Sequence, residues 1–158
     1  MLMLEKILTT SQLPIWAEEY AQSVASTYNP DCIILFGSVA RNNQQQDSDI
    51  DILVIGGELP ANHRERFRLL MRLRPRLAPI QVQTFTWGEW ERMIADKHVT
   101  VLEALRDGKA LHGHGLFAQW RQQFQGWLHL GLRRTDCTWV IPPALRDDRI
   151  SHQWLVKE

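Results

Sequence analysis

Two aspartates spaced by two are the first residues of this chain whose types and spacing suit a chemical role. Asp49 and Asp51 lie in the apolar run SDIDILV at residues 48–54. A strand places residues two apart on the same face, so both carboxylates point the same way while Ile50 and Ile52 point into the core. Paired carboxylates repel each other unless a cation lies between them. Mg²⁺ fits this role, because it binds one or two protein carboxylates together with phosphate and water oxygens.

A Gly-Ser pair supplies the second half of the predicted site. Gly37 and Ser38 directly follow the apolar run at residues 32–36. Glycine lets a phosphate approach the backbone, and the Ser38 hydroxyl and nearby N–H groups can donate to it; a helix starting at Ser38 would also favour an anion. Arg41 adds positive charge one turn later. The pattern predicts a nucleoside triphosphate held by metal on one strand and by this turn on its neighbour, whereas the alternative is a solvated acidic loop.

The elements that must position these residues are short strands separated by helices. Apolar, β-branched runs predict strands over residues 32–36 and 50–55, and alternation predicts a third over 79–86. The spacing of apolar residues predicts the helices. They cover residues 11–27, with Ser11 as N-cap and Pro14 in the first turn, then 61–77, and then 87–106 as one helix or two broken near 97–98. A short strand is expected at residues 109–112.

The motif as a whole resembles the signature of the DNA polymerase beta-like nucleotidyltransferase superfamily. GSVAR at residues 37–41 and SDIDILV at 48–54 carry the resemblance, which is closest to the minimal nucleotidyltransferases and spans about residues 30–113. It implies an α+β fold, with a small mixed β-sheet flanked by helices, and Mg²⁺ with ATP or another nucleoside triphosphate as cofactors. The resemblance implies the following site residues: Asp49 and Asp51 as catalytic metal ligands, and Gly37, Ser38 and Arg41 as phosphate-binding residues.

The chain departs from the superfamily at a third carboxylate, which other members carry on the strand that corresponds to residues 79–86. Alignment on the strand-then-helix pattern puts Gln81 at this position, with Gln83 the neighbouring possibility. A glutamine carbonyl can bind Mg²⁺, but it brings no negative charge and cannot act as a general base. This degenerate third-ligand position weakens the expectation of catalysis more than that of nucleotide and metal binding.

A shifted alignment does not restore the missing carboxylate, because residues 78–86 contain no Asp or Glu. The nearest acidic residues are Glu58, Glu89 and Glu91, and none of them is favoured as a replacement. Asp47 is interpreted as a residue of the loop rather than as a metal ligand.

Six arginines lie between residues 64 and 76, and four of them recur every four residues. These four are Arg64, Arg68, Arg72 and Arg76. Such a stripe is explained either as a solvated helix face or as a local basic patch for RNA, a phosphate or an acidic partner. The chain as a whole has a formal net charge of zero, so net charge does not indicate nucleic acid as a partner.

Length and composition are those of one globular domain: 158 residues, 44% hydrophobic and 23% charged. Cys32 and Cys137 form neither a disulfide framework nor a metal knuckle, and Cys32 is expected to be buried in its strand. No apolar run is long enough to span a bilayer, and the N-terminus lacks the pattern of a signal peptide. A cytoplasmic protein with no membrane partner is therefore expected.

The C-terminal quarter of the chain lies mostly beyond the resemblance. Residues 1–115 are assigned to the nucleotidyltransferase domain, and 116–158 to a helical and stranded appendage packed on that domain or on a partner. An apolar stripe over 116–128 predicts a helix, and 137–141 a strand. His112 and His114 are interpreted as part of a Gly-rich turn rather than as metal ligands.

Three functions follow from the motif and the resemblance. The first is an enzyme that moves a nucleotidyl group, AMP from ATP, to a hydroxyl of a protein acceptor, as the antitoxin of a HEPN-like toxin. The second is a catalytically decayed antitoxin that acts by binding only. The third, ranked last, is a small-molecule (antibiotic) nucleotidyltransferase, because residues 116–158 are short for its usual helical domain. The oligomeric state stays open, a homo-oligomer included.

Overall fold

Helices lie on both faces of a four-stranded sheet in the computed structural model, which describes residues 2–42 and 48–146, with side chains from residue 12 onward. The helices are α1 (Leu2–Tyr28), α2 (Gly37–Ala40), α3 (His63–Arg72), α4 (Trp87–Ala95), α5 (Val99–Asp107) and α6 (His114–His129). The strands are β1 (Cys32–Phe36), β2 (Ile50–Ile55), β3 (Ile80–Phe85), β4 (Lys109–His112), β5 (Arg133–Arg134) and β6 (Trp139–Val140). A 3₁₀ turn covers Pro143–Leu145.

The sheet is mixed, as predicted. Its strand order is β3-β2-β1-β4. β1 is antiparallel to both β2 and β4, whereas β2 and β3 are parallel. A parallel pair needs a crossover connection, and α3 supplies it, so α3 runs back along the sheet from the end of β2 to the start of β3. β5 and β6 form a separate two-stranded sheet.

Alternate residues of the strands enter two separate hydrophobic cores. On one face, Ile50 and Ile52 of β2 pack with buried residues of α1 and α3. On the other face, Leu53 and Ile55 pack with buried residues of α4, α5 and α6. The sequence prediction that Ile50 and Ile52 point into the core is therefore confirmed, and the middle of β2 has no open face.

The first helix begins earlier than its sequence pattern suggested. α1 starts at Leu2, so Ser11 is not its N-cap and Pro14 lies inside it rather than in its first turn. Proline inside a helix costs about 3 kcal/mol, because it removes one hydrogen bond and crowds the preceding turn. Leu13, Ala17 and Tyr20 are all fully buried against the sheet. Their packing offsets the cost and keeps the helix continuous.

The second half of the chain follows its predictions in outline. The helical stretch over 87–106 is indeed two helices, α4 and α5, separated at residues 96–98. α6 buries Phe117, Trp120, Phe124 and Trp127 in the same core as α4 and α5. The strand predicted over 137–141 is shorter, Trp139–Val140. Residues 147–158 lie outside the described part of the chain. None of the helices described is both long and apolar enough to cross a membrane.

One arginine of α3 is buried rather than solvated. The side chain of Arg66 is 2% exposed, and its Nη2 lies 3.1 Å from Glu89 Oε1. Its Nε donates to Thr84 Oγ1 (3.3 Å) and its Nη1 to the Ala61 carbonyl (2.7 Å). A buried guanidinium is tolerated only when its donors are used in this way. Arg66 therefore ties α3 to the end of β3 and the start of α4.

Replacing Arg66 with Met should lower the free energy of unfolding by about 1–3 kcal/mol, because the buried Thr84 hydroxyl loses its donor, whereas Glu89 is partly exposed and keeps the Thr86 N–H. Urea denaturation measures this loss. Arg68→Met is the matched control, since Arg68 is exposed on the same helix. Equal unfolding midpoints for the two variants would contradict the structural role of Arg66.

Candidate active site

The segments predicted to form the site meet at one end of the sheet. Phe36, the last residue of β1, pairs with Asp51 near the start of β2. Gly37 and Ser38 follow Phe36 directly, so the antiparallel pairing brings the Gly-Ser turn beside the carboxylate strand. On its other side Asp51 pairs with Gln81, near the start of β3. The register alone therefore brings together positions from three strands.

Gly37 makes the closest approach between the turn and the carboxylates. Its φ is +77°, in the left-handed region that glycine adopts without steric cost. A Cβ built at this position would collide with Asp51 Oδ2. Backbone conformation and lack of space thus both require glycine here. Ser38 is half-buried beside it in α2, and the next residue, Val39, is buried and anchors the turn to the core.

Gln81 contacts the carboxylate pair directly. Its Nε2 donates to Asp49 Oδ2 at 3.0 Å. An ionised carboxylate only accepts hydrogen bonds, so the amide nitrogen must face it. Asp49 is exposed and lies just before β2, and this hydrogen bond holds its side chain on the side of β3. Gln83, the neighbouring possibility, pairs instead with Leu53 further along β2.

The charge on Asp51 is unfavourable in the absence of a counter-ion. Burial raises the pKa of Asp51 above its usual range, the neighbouring Asp49 raises this pKa further, and Arg41 partly opposes both. A divalent cation would remove the repulsion between the two carboxylates. Hard oxygen donors in this number suit Mg²⁺, which completes its shell with phosphate and water. The donor set and its charge therefore fit the cation implied by the resemblance.

Arg41 lies near the carboxylates without pairing with either of them. It follows α2, its side chain is 45% exposed, and its Nη1 is 3.8 Å from Asp107 Oδ2 at the end of α5. Asp107 thus holds Arg41 close to the site, where its charge acts on the pKa of Asp51. No local pattern indicated a role for Asp107, because its ion pair with Arg41 joins residues far apart in the chain.

The acidic residues considered as replacements for the third carboxylate lie elsewhere. Asp51 and Gln81 are near the starts of β2 and β3, whereas Glu58, Glu89 and Glu91 come after the far ends of these strands. The four residues from Asp51 to Ile55 span about 13 Å along β2, and this length separates the three glutamates from the carboxylate pair. Glu89 is also engaged, since its Oε1 accepts from the Thr86 N–H and binds Arg66. None of the three contacts the carboxylate pair in the described structure.

The two histidines at the start of α6 also remain outside the site. His112 ends β4, His114 begins α6, and Gly113 between them has a φ of +75°. The prediction of a Gly-rich turn is therefore confirmed. Among the side chains of residues 12–42 and 48–146, no three His, Cys, Asp or Glu come together as a metal site. Asp47, predicted to be a loop residue, lies outside the described residues.

Asp51→Asn should stabilise the metal-free protein at pH 7. A carboxyl whose pKa is raised on folding stabilises the folded state at low pH, and this contribution is lost as pH rises through the raised pKa. The amide does not ionise, so the free energy of unfolding and the melting temperature of Asp51→Asn at pH 7 should be higher than those of the wild type.

Thermal melts of both proteins from pH 3 to 8 measure this difference, which should vanish below about pH 4, where the carboxyl is protonated. Adding Mg²⁺ should stabilise the wild type more than Asp51→Asn. A variant less stable than the wild type at pH 7 without metal would contradict the assigned environment of Asp51.

Comparisons with known proteins agree with this geometry. The family model "Polymerase beta, Nucleotidyltransferase" matches residues 19–99, half of the chain, and this span includes Gly37, Asp49, Asp51 and Gln81. None of the curated proteins compared with the chain matches it.

Solved structures with a similar fold include a protein from Sulfolobus solfataricus described as a nucleotidyltransferase, with 23% identity over 66% of this chain and 84% of that one and a TM-score of 0.47. They also include a toxin–antitoxin with AMP-PNP, at 21% identity over 72% and 88% of the two chains and a TM-score of 0.49. A mutant of the toxin–antitoxin MntA-HpeT has 17% identity over 69% and 84%, with a TM-score of 0.46. By the family match and the arrangement of its strands, the chain belongs to the Polymerase beta nucleotidyltransferase family.

Proposed function

We propose that this protein is a Mg²⁺-dependent nucleotidyltransferase that moves a nucleotidyl group, AMP from ATP, to a hydroxyl of a protein acceptor. The observation that carries the proposal is the close approach of the Gly37 backbone to Asp51, with Asp49 two residues earlier in the chain. A glycine turn against paired carboxylates joins a phosphate-binding element to a cation-binding element. Membership of the nucleotidyltransferase family supports this combination.

Each residue of the site has a separate task in the proposed reaction. Asp49 and Asp51 hold the cation, and the Gly37 backbone and the Ser38 hydroxyl bind the triphosphate. Arg41, held by Asp107 at 3.8 Å, adds positive charge beside the phosphates. When bound, Mg²⁺ neutralises the phosphates and polarises the α-phosphorus for in-line displacement. The acceptor oxygen bonds to the α-phosphorus as the bond from that phosphorus to the bridging oxygen of the β-phosphate breaks; pyrophosphate leaves, and the hydroxyl proton passes to water.

The protein acceptor and the antitoxin role come from the sequence resemblance. Residues 37–54 are similar to those of minimal nucleotidyltransferases, many of which are paired with HEPN toxins, and some of these adenylylate the toxin. A HEPN-like toxin is therefore the proposed partner and acceptor. β3 supplies no carboxylate in this chain, so none of the described side chains on this strand can take the proton from the acceptor hydroxyl.

A second candidate is an antitoxin that keeps the pocket and has lost the chemistry. The hydrogen bond from Gln81 to Asp49 favours it. The Gln81 amide stands where a third carboxylate would be and donates a hydrogen bond to the Asp49 carboxylate. It adds neither a negative charge nor a base. Such a protein would bind Mg²⁺ and nucleotide and would neutralise its toxin by contact alone.

Incubation with Mg²⁺, ATP labelled at the α-phosphate and lysate of the native host should label one protein band. Asp49→Ala/Asp51→Ala should lower this labelling at least about a hundredfold, because the cation contributes several kcal/mol to the transition state. Autoradiography of a gel measures the transfer.

Arg92→Ala is the control for the labelling experiment, since Arg92 is exposed on α4 and outside the site. Labelling that survives in Asp49→Ala/Asp51→Ala would overturn the assigned site. An unlabelled lysate, with Mg²⁺-dependent ATP binding still measurable, would favour the binding-only antitoxin.

Gln81→Glu separates the two candidates. The new carboxylate lies beside Asp49, so it should lower the melting temperature of the metal-free protein and raise the affinity for Mn²⁺, measured by isothermal titration. If the wild type is an enzyme, the variant should transfer AMP at least about tenfold faster, because a general base typically contributes 10²–10⁴.

Activity that appears only in Gln81→Glu would identify the wild type as a decayed enzyme. Gln81→Ala serves as the control, because it removes the hydrogen bond without adding a carboxylate. Unchanged Mn²⁺ affinity in Gln81→Glu would contradict the placement of residue 81 at the cation site.

A further inference from the structure

The net charge of zero conceals a strong separation of charge. Residues 64–76 contain six arginines and one glutamate, a net charge of +5, while the rest of the chain has twelve basic and seventeen acidic residues, a net charge of −5. The basic segment covers most of α3 and the turn that follows it. Net charge is therefore no guide to the partners of this segment, whose local field attracts anions.

Arg64, Arg68 and Arg72 recur every four residues along α3, and Arg76 follows in the turn after the helix; these four arginines are named here the α3 stripe. All four side chains are exposed, in contrast to the buried Arg66. Within the described part of the chain, no acidic side chain forms an ion pair with any of them. The stripe thus presents four guanidinium groups whose donors are open to solvent.

This arrangement costs stability in the isolated protein. Like charges four residues apart on a helix repel each other by about 0.2–0.5 kcal/mol a pair, and Arg64, Arg68 and Arg72 make two such pairs on α3. Solubility alone does not require a single sign of charge, since alternating Glu and Arg would serve it and stabilise the helix. The repulsion is relieved when the stripe meets an extended anion.

Stacking favours a nucleic acid over a carboxylate polymer as the partner of the stripe. The segment contains no lysine, and guanidinium groups pair with phosphate and carboxylate oxygens alike, but only a nucleic acid also offers bases on which they stack. Phe67 lies between Arg64 and Arg68 with its side chain 39% exposed. An exposed aromatic ring among arginines is the arrangement that binds single strands, with bases on the ring and phosphates on the cations.

We propose that the α3 stripe, together with Phe67, binds the backbone of a single-stranded nucleic acid. Leu70 of α3 packs in the core with Ile50 and Ile52, on the sheet face opposite to the one that carries Asp51 and Gln81. α3 therefore lies on the other face of the sheet from the candidate active site, with Arg72 and Arg76 toward the end of the sheet where β3 begins. Binding by the stripe needs neither Mg²⁺ nor ATP, and the inference does not depend on the proposed function.

Fluorescence anisotropy with a fluorescein-labelled 20-nucleotide poly(U) RNA, and with the matching single-stranded DNA, tests this proposal in EDTA. If four phosphates are contacted, the affinity of the full-length protein should fall about 50-fold between 50 and 200 mM salt. Arg64→Gln/Arg68→Gln/Arg72→Gln should leave only about a threefold fall over the same range. Phe67→Ala should weaken binding at least about fivefold, whereas Phe67→Trp should retain it.

The matched control is Arg92→Gln/Arg133→Gln/Arg146→Gln, which removes the same charge from exposed arginines on other elements. It should change the affinity less than twofold, and circular dichroism confirms that both variants are folded. Asp49→Ala/Asp51→Ala should bind like the wild type. Absence of RNA and DNA binding at 50 mM salt, equal losses in the two triple variants, or equally tight binding of polyglutamate would each overturn the proposal.

Discussion

Helices cover both faces of the sheet, and this constraint decides where charge can lie. Along β2 the apolar side chains alternate between two cores, Ile50 and Ile52 in one and Leu53 and Ile55 in the other. A carboxylate in the middle of this strand would be buried without solvation, at a cost of several kcal/mol. Asp51 avoids this cost because it lies near the strand's start, beside the turn that leaves β1. The carboxylate lies near the start of β2 because the middle of this strand has no open face.

The position at the start of β2 brings the two carboxylates together and also makes the charged form of Asp51 unfavourable. Asp51 is partly buried beside Asp49, so the pKa of Asp51 rises and its charged form is disfavoured. The charge of Arg41 reduces this penalty in part, whereas the Gln81 amide donates to Asp49, and the remaining penalty can be removed by a bound cation. A site that is unfavourable when empty binds a cation more tightly, and this is the usual relation between stability and function at such sites.

Local patterns were sufficient to predict the four strands of the main sheet and the break between α4 and α5, whereas β5 had no sequence signal. Two aspartates spaced by two lie on one face of any strand, and short β-branched runs identify strands without knowledge of their neighbours. Local patterns did not predict the contacts of Arg66. Nothing in the sequence distinguishes it from the other five arginines of its segment, because its partners Thr84 and Glu89 lie on other elements. The early start of α1 likewise depends on tertiary packing that overrides a local signal from Pro14.

Glutamine at position 81 changes the balance between stability and cation affinity. A third carboxylate at this exposed position would add repulsion beside Asp49, which solvent screens in part, whereas the Gln81 amide donates a hydrogen bond to Asp49. The carboxylate pair therefore needs less compensating positive charge than a set of three would, and β3 gives up the charge and the base that a third carboxylate would supply.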